Sequence, residues 1–212
     1  ALGNTTGNIS VQEALREKSV ALLDNLGSDE TNDSTLLLEL AAAYTKLARI
    51  QNLSFYEFDK SIGNLFKAKS IYEKILRTEP GDIEIRRNLY NTQMRLSESL
   101  TATKRREEWF QLEDEIFQNQ QELIRLQPEK PAHLGTLAAI YGGFAEVNTS
   151  FGKNDGVLQY RSKGIEFIDR AIEMQKSRNN SPKSLAEIAR FHFIKGWLLE
   201  NLSENEKAIE NY

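Results

Sequence analysis

Apolar residues recur at helical spacing along this chain, and one helical face is repeated at a fixed interval. A small residue, an aromatic residue, two aliphatic residues and a proline make up this face: Ala68, Tyr72, Ile75, Leu76 and Pro80. Forty-eight positions later (116 − 68 = 48), the same places hold Ile116, Gln120, Leu123, Ile124 and Pro128. A further 48 positions (164 − 116 = 48) lead to Gly164, Ile168, Ala171, Ile172 and Lys176. Equal spacing of this kind predicts a stack of repeated helical hairpins.

The segment before the first repeat predicts a short lead-in and one helix. Residues 1–9 are polar and rich in glycine and asparagine, so we expect a disordered lead-in. Residues 10–33 predict an N-terminal capping helix, because Ser10 and Glu13 can form a capping box ahead of an apolar stripe.

The first hairpin is predicted as two helices separated by a loop. A strongly amphipathic helix begins at Ser34. Residues 53–64 then predict a loop, with the second helix beginning at Asn64. The aromatic residues in this loop either cover the end of the repeat or form an exposed contact patch.

The middle of the chain predicts two helices and then a third. Asp82 is a good N-cap residue for a helix that begins at Ile83. The 45 residues from 83 to 127 contain neither glycine nor proline, which is too long for one ordinary helix, so we expect a break at 101–103. Pro131 then suits the first position of another helix, whose middle we expect Gly142 and Gly143 to loosen.

The C-terminal segment predicts an incomplete hairpin. One helix begins at Ser181-Pro182, and Ser203 with Glu206 predicts a capping box for a second, short helix. We expect the apolar edge left by this short helix, which includes Trp197 and Tyr212, either to be covered by a continuation of the chain or to self-associate.

Several of these faces resemble the tetratricopeptide repeat. The first-helix pattern of that family is matched by Leu37, Leu40, Ala41 and Tyr44, and again by Leu134, Leu137, Ala138 and Tyr141. The end of the chain fits its small, large and aromatic positions with Gly196, Leu199, Leu202, Ala208 and Tyr212. The resemblance implies an all-α solenoid with a right-handed superhelical twist. Its units would be residues 34–80, 81–128, 129–180 and an incomplete last repeat at 181–212.

The resemblance also names the residues that would define packing between repeats. They are Leu37, Tyr44, Ala68, Tyr72, Leu89, Leu123, Leu137, Tyr141, Ala171, Gly196 and Ala208. The family period is about 34 residues, whereas the interval here is 48. Lengthening both helices of each hairpin by about two turns absorbs the difference without changing which faces meet, so we expect long hairpins.

The layout is also similar to the repeat regions attached to bacterial membrane-anchored protein kinases and winged-helix regulators. That similarity implies the sensory or docking part of a larger signalling protein. It favours an extracytoplasmic, periplasmic position slightly over a cytoplasmic one.

Composition and charge narrow the function classes. A net charge of −4 argues against broad affinity for nucleic acid or for an anionic membrane, both of which require a basic surface. The absence of cysteine excludes thiolate nucleophiles, disulfides and cysteine metal sites. No apolar run approaches the roughly 18 residues that a spanning helix requires, so we expect no direct membrane contact in this segment.

Candidate chemistry is sparse. His133 and His192 are the only histidines, and neither stands in a catalytic motif. The basic cluster at 104–106 is followed at once by Glu107 and Glu108, so solvated charge explains it better than contact with nucleic acid. We therefore expect no enzymatic activity, no metal and no cofactor.

Binding of another protein or a peptide is the function that the sequence favours, with one alternative. In the solenoid register, Arg86, Arg87, Asn88 and Asn91 lie on the helix face that lines the binding groove. Arg87 and Asn91 resemble half of the basic-plus-asparagine pair with which some tetratricopeptide repeats clamp a peptide carboxylate, although simple solvation also explains them. The alternative is a small ligand enclosed between stacked helices, in a cavity lined by the tyrosines Tyr44, Tyr90 and Tyr141.

Overall fold

The structure is a computed structural model, and it describes residues 18, 20–21, 23–25, 33–178 and 181–210, without the side chains of residues 54–55 and 201–210. The described residues form helices and short connections, with no strand among them. The all-α class predicted from the sequence is therefore confirmed for this part of the chain. The lead-in at 1–9, the capping box of Ser10 and Glu13, and Tyr212 lie outside the described residues, and so does the side chain of Ala208.

Seven long helices follow one another from residue 34 onward in the described part of the chain. They are α1 (Ser34–Ile50), α2 (Phe58–Thr78), α3 (Ile83–Ala102), α4 (Arg106–Leu126), α5 (Pro131–Ser150), α6 (Val157–Lys176) and α7 (Pro182–Glu210). A short π-helical segment, Gln51–Phe55, follows α1 directly. The described residues between 18 and 25 are also helical.

Side-chain caps set several of the helix starts. The Asp33 carboxylate accepts the backbone N–H groups of Thr35 and Leu36. Asp82 accepts the N–H of Ile85 at 2.9 Å, as its predicted capping role requires. The expected break at 101–103 is confirmed, because α3 ends at Ala102 and α4 begins at Arg106.

The link between α1 and α2 is shorter than predicted. The expectation of a loop over 53–64 and a helix start at Asn64 is wrong, because α2 already begins at Phe58. The Asn64 side chain is buried and donates to Gln51 Oε1 at 2.9 Å, which holds the start of α2 against the π-helical segment. The chain reverses at Tyr56, which has a left-handed φ of 54° and a 76% exposed side chain.

The end of the chain also differs from its prediction. We expected a second helix to open at Ser203, but α7 continues as one helix of 29 residues to Glu210. A serine followed by a glutamate caps a helix only where the preceding backbone has left helical geometry. Nothing between Gly196 and Ser203 interrupts the helix, since this stretch contains no proline and no second glycine.

The described residues fall into two compact units, one up to Ser99 and one from Leu100 onward. The first contains α1, α2 and most of α3, and buried apolar side chains from all three helices form its core: Leu37, Leu40, Ala41, Tyr44, Ala68, Tyr72, Ile75, Leu76, Ile85 and Leu89. Tyr44 also donates to Asp24 at 2.7 Å, which joins α1 to the helical residues that precede it.

The second unit contains α4 to α7. One of its core clusters joins α5, α6 and α7 through Leu134, Ala138, Ile168, Ala171, Ile172, Phe191 and Leu198. Leu123 and Leu137, which the resemblance placed at packing positions, are buried in this unit as well, whereas Tyr141 is only half-buried.

Glycines mark the closest helix contacts of the second unit. α5 is continuous through Gly142 and Gly143, which we expected to loosen it. Gly142 has a packing role, because a Cβ there would lie 2.2 Å from the Trp197 ring of α7. A Cβ at Gly135 would lie 2.4 Å from the ring of Phe191, also on α7. Gly196, assigned to packing by the resemblance, is instead exposed, with nothing within 4 Å of an added Cβ. The missing side chains of Gly135 and Gly142 therefore allow α7 to approach α5.

Candidate functional site: a polar groove between α1 and α3

The candidate binding site is an open groove in the first unit, between α1 and α3. Its volume is about 490 Å³. The lining residues come mostly from these two helices: Ala42, Thr45, Lys46, Tyr72, Asn88, Asn91, Thr92, Met94, Arg95 and Glu98. Tyr72 is the one contribution from α2 among them. The groove is therefore open and predominantly polar, unlike the apolar core beneath it.

A set of hydroxyl groups forms the floor of this groove. The Oγ1 atoms of Thr45 and Thr92 lie 3.3 Å apart. Thr45 also donates to Ala41 O, and Thr92 to Asn88 O, each at 2.9 Å. Burial raises the pKa of Tyr72, and a hydrogen bond with Thr45 partly opposes this rise. These contacts tie all three helices together below the groove and fix the position of its walls.

Two asparagine side chains provide amide groups on the α3 wall. Asn88 is half-buried and Asn91 is exposed. Neither carboxamide hydrogen-bonds to any described residue, while the neighbouring hydroxyl groups of the floor are paired. A carboxamide both donates and accepts, so these two groups can pair with another amide, such as a peptide backbone.

One end of the groove is basic. A smaller cavity of about 390 Å³ adjoins it and shares Thr45, Lys46 and Arg95 with it, while Arg49 and Ile50 complete the lining. Lys46, Arg49 and Arg95 form no ion pair with any described residue. The one acidic residue among the lining residues is Glu98. The three cations therefore make this end of the groove suitable for a carboxylate.

The four predicted groove residues have different positions in the structure. Asn88 and Asn91 line the groove as expected. Arg87 is exposed on α3 but is not among the lining residues. The Arg86 guanidinium instead donates to Pro80 O at 3.0 and 2.8 Å, which braces the link between α2 and α3.

Sequence reasoning missed the cationic part of the site. Arg95 lies one turn beyond Asn91 at i+4, so the helical register already placed the two on one face of α3. Lys46 and Arg49 could not be found in this way, because the sequence does not show which face of α1 borders α3.

The other candidate residues do not line the groove. His133 is buried, and its Nε2 lies 3.0 Å from Gln127 Oε1, while His192 is exposed. Arg105 of the basic cluster pairs with Glu108, as expected from its neutralising neighbours. The tyrosines Tyr44, Tyr90 and Tyr141 line none of the cavities described here.

Two other features are absent from the described part of the chain. No group of three or more histidine or acidic side chains in this part of the chain could hold a metal ion. None of the described helices combines the length and the apolarity that crossing a bilayer requires.

The second unit contains a buried carboxyl group. Burial raises the pKa of Glu113 above its ordinary value of 4.5, against the opposing effects of a Tyr160 hydrogen bond and the Lys153 charge. The Asn148 amide donates to Glu113 Oε1 at 3.5 Å. The group is 5% exposed, and it serves the packing of α4, α5 and α6.

We expect Glu113→Gln to stabilise the protein at neutral pH. A raised folded-state pKa contributes stability that is present below the unfolded pKa and is lost as pH rises through the folded pKa. The gain over wild type should therefore be larger at neutral pH than at about pH 4, near the unfolded pKa. Urea unfolding at both pH values measures this difference. The exposed control Glu129→Gln should show no comparable gain, and an equal gain for Glu113→Gln at both pH values would contradict the assignment.

No protein-family model matches the chain. No curated protein matches it either. Among solved structures, a de novo designed helical repeat protein is similar over 91% of this chain and 99% of its own, with 14% identity and a TM-score of 0.41.

Proposed function

We propose that this chain is a non-catalytic interaction module that binds an extended, carboxylate-bearing peptide in the groove between α1 and α3. One observation supports the proposal most strongly: the unpaired carboxamides of Asn88 and Asn91 adjoin three cations that form no ion pair with a described acidic residue. These are the groups that pair with a peptide backbone and with a carboxylate.

The charge distribution favours a peptide over nucleic acid. The chain as a whole carries a net charge of −4, and the cations of the groove are confined to Lys46, Arg49 and Arg95 at one end. Binding to a phosphate backbone requires a basic surface that extends along several phosphates. A local cluster beside amide groups instead fits one carboxylate and the backbone that precedes it.

The tetratricopeptide-like class belongs to the same proposal. The starts of α1, α3 and α5, at Ser34, Ile83 and Pro131, are 49 and 48 residues apart (83 − 34 and 131 − 83). The starts of α2 and α4, at Phe58 and Arg106, are 48 apart. This spacing supports a solenoid of long hairpins with a period of about 48 residues, in which such a groove lies between the first helices of successive repeats. A docking or sensory role in a larger signalling protein is the corresponding biological proposal.

Peptide selection with a charge-reversed variant tests the proposed function. A display library of random peptides with free carboxyl termini is selected on the wild-type protein, and the enriched peptides are synthesised and titrated. We expect acidic or C-terminal carboxylate motifs to be enriched. Arg95→Glu should lower the affinity for the enriched peptides by at least about tenfold, since it converts an attraction for the carboxylate into a repulsion. Loss of the Asn88 or Asn91 amide should weaken binding by a smaller factor, about two- to tenfold.

Arg77→Glu is the matched control, because it reverses an exposed arginine of the same unit outside the groove. It should leave the affinity within about twofold of wild type. Equal weakening by Arg77→Glu and Arg95→Glu would refute the groove, and so would enrichment of peptides without any carboxylate motif.

A further inference from the structure

A second cavity, in the second unit, lies where the N-termini of α5 and α7 come together. Its volume is about 680 Å³. Its lining residues come from the starts of α5 and α7 and from the end of α6: Lys130, Pro131, Ala132, Gln175, Arg178, Ser181, Lys183, Ser184 and Glu187. None of these residues belongs to the peptide groove, so the two sites are independent.

Two helix N-termini contribute partial positive charge to this cavity. Lys130 is the N-cap residue of α5, and no side chain caps that helix start. Pro131 has no N–H and the N–H of His133 bonds to Lys130 O. The first-turn donor that remains among the cavity-lining residues of α5 is the N–H of Ala132. At α7, Ser181 Oγ accepts the N–H of Ser184 at 3.2 Å. Aligned peptide dipoles at two adjacent helix starts favour an anion.

Full positive charges surround the same cavity. Lys130, Arg178 and Lys183 line it, and none of them forms an ion pair with a described residue. The acidic residue of the lining, Glu187, has Arg190 as a partner at 3.7 Å. The cavity is therefore lined by three positive charges and by one carboxylate, which Arg190 partly neutralises.

A buried side-chain amide at the wall of the cavity has a hydrogen-bond partner for only one of its two polar atoms. Gln175 is 5% exposed, and its Nε2 donates to Ser184 Oγ at 2.9 Å. Its Oε1 has no hydrogen-bond partner among the described residues. A 180° flip of the carboxamide exchanges the positions of Oε1 and Nε2. In the flipped form Oε1 accepts the Ser184 hydroxyl hydrogen, and Nε2 is available to donate to a bound group. A buried polar atom without a partner is costly, so an occupant that pairs with this carboxamide would remove that cost.

We propose that this cavity binds a phosphate group, carried by a small phosphate monoester. A phosphate presents three terminal oxygens and nearly two negative charges, which match three cations, two helix starts and the Gln175 amide better than the two oxygens and single charge of a carboxylate. The volume of about 680 Å³ is larger than an inorganic ion requires and leaves room for the remainder of an ester.

Calorimetric titration with three probes tests this assignment. Phenyl phosphate and benzoate have the same ring and differ in the anionic group, and inorganic phosphate has no ring. We expect phenyl phosphate to bind at least about tenfold more tightly than benzoate. Tighter binding of phenyl phosphate than of inorganic phosphate would support an ester, while equal binding of the two would support the phosphate site with the free ion as occupant. Equal binding of phenyl phosphate and benzoate, or no binding of either phosphate, would overturn the proposal.

Variants locate the site. The double variant Lys130→Gln with Lys183→Gln should lower the affinity for phenyl phosphate by at least about tenfold. The control Lys163→Gln, which removes an exposed charge of the same unit outside the cavity, should change the affinity by less than about twofold. Gln175→Met should weaken binding without lowering the thermal stability of the unliganded protein, because removal of an unsatisfied buried oxygen offsets the lost hydrogen bond to Ser184. Equal loss for the double variant and the Lys163 control, or a loss with Gln175→Met that only follows unfolding, would refute the assignment.

Discussion

Trp109→Ala should lower the free energy of unfolding by about 3–5 kcal/mol, as expected when a large aromatic side chain is removed from a core. Trp109 is 1% exposed. Its ring contacts those of Phe110, Phe144 and Phe151 edge-on, with centroid distances of 5.3, 5.1 and 5.8 Å. Removing it leaves a cavity that three fixed rings cannot fill. Urea unfolding followed by circular dichroism measures the loss.

Phe193→Ala is the matched control for Trp109. Phe193 is 78% exposed on α7, so its removal uncovers almost no buried surface. We expect a change within about 0.5 kcal/mol of wild type, the usual range for surface substitutions. A Trp109→Ala protein as stable as the Phe193→Ala protein would contradict the packing of α4 against α5 at this position.

Gly142→Ala should destabilise the protein by about 1–3 kcal/mol, the cost of inserting a methyl group into a well-packed contact. The added Cβ would lie 2.2 Å from the Trp197 ring and 2.8 Å from the Leu198 side chain. Leu198 is 1% exposed, and the Trp197 indole donates to Glu146 at 3.2 Å, so neither side chain can withdraw without loss. Thermal unfolding of the variant measures the effect.

Alanine at the adjacent glycine, Gly143, should have the opposite effect on stability. Nothing lies within 4 Å of a Cβ added at Gly143, so Gly143→Ala should stabilise α5 by about 0.5–1 kcal/mol through its higher helix propensity. Two alanine substitutions one residue apart thus differ in sign. Stabilisation by both would show that α7 does not approach α5 as described.

The sequence predicted the helices wherever apolar periodicity and caps agreed. Asp82, Pro131 and the break at 101–103 were all correctly assigned for this reason. Phe58 was missed because the polar and aromatic residues around it are typical of a loop, and the buried pair of Asn64 and Gln51 that stabilises the helix start is a tertiary contact.

At Gly142 and Ser203, too, the local sequence was compatible with more than one structure. A glycine inside a helix is compatible either with a loose helix or with a close contact, and the position of Trp197 decides between them. The serine was read as a helix start from a local motif, yet helix propagation through a stretch without breakers costs less than a new nucleation. In both cases the deciding interaction lies outside the local sequence.

The groove could be predicted only in part. Asn88 and Asn91 followed from the register of α3, because one helix face is determined by sequence spacing. The contribution of α1 depends on which of its faces borders α3, and the second, anion-binding cavity depends on the convergence of two helix starts 51 residues apart (182 − 131 = 51). Spatial neighbours of this kind are not encoded in the spacing of residues along the chain.

Mapping a selected carboxylate peptide onto the protein by NMR tests the central proposal most directly. We predict that the side-chain amide signals of Asn88 and Asn91 and the backbone signals of Thr45 and Arg95 shift on titration, while signals around Gln175 stay unchanged. A peptide that binds while these four residues remain unperturbed, with its shifts elsewhere on the chain, would contradict the groove between α1 and α3 as the binding site.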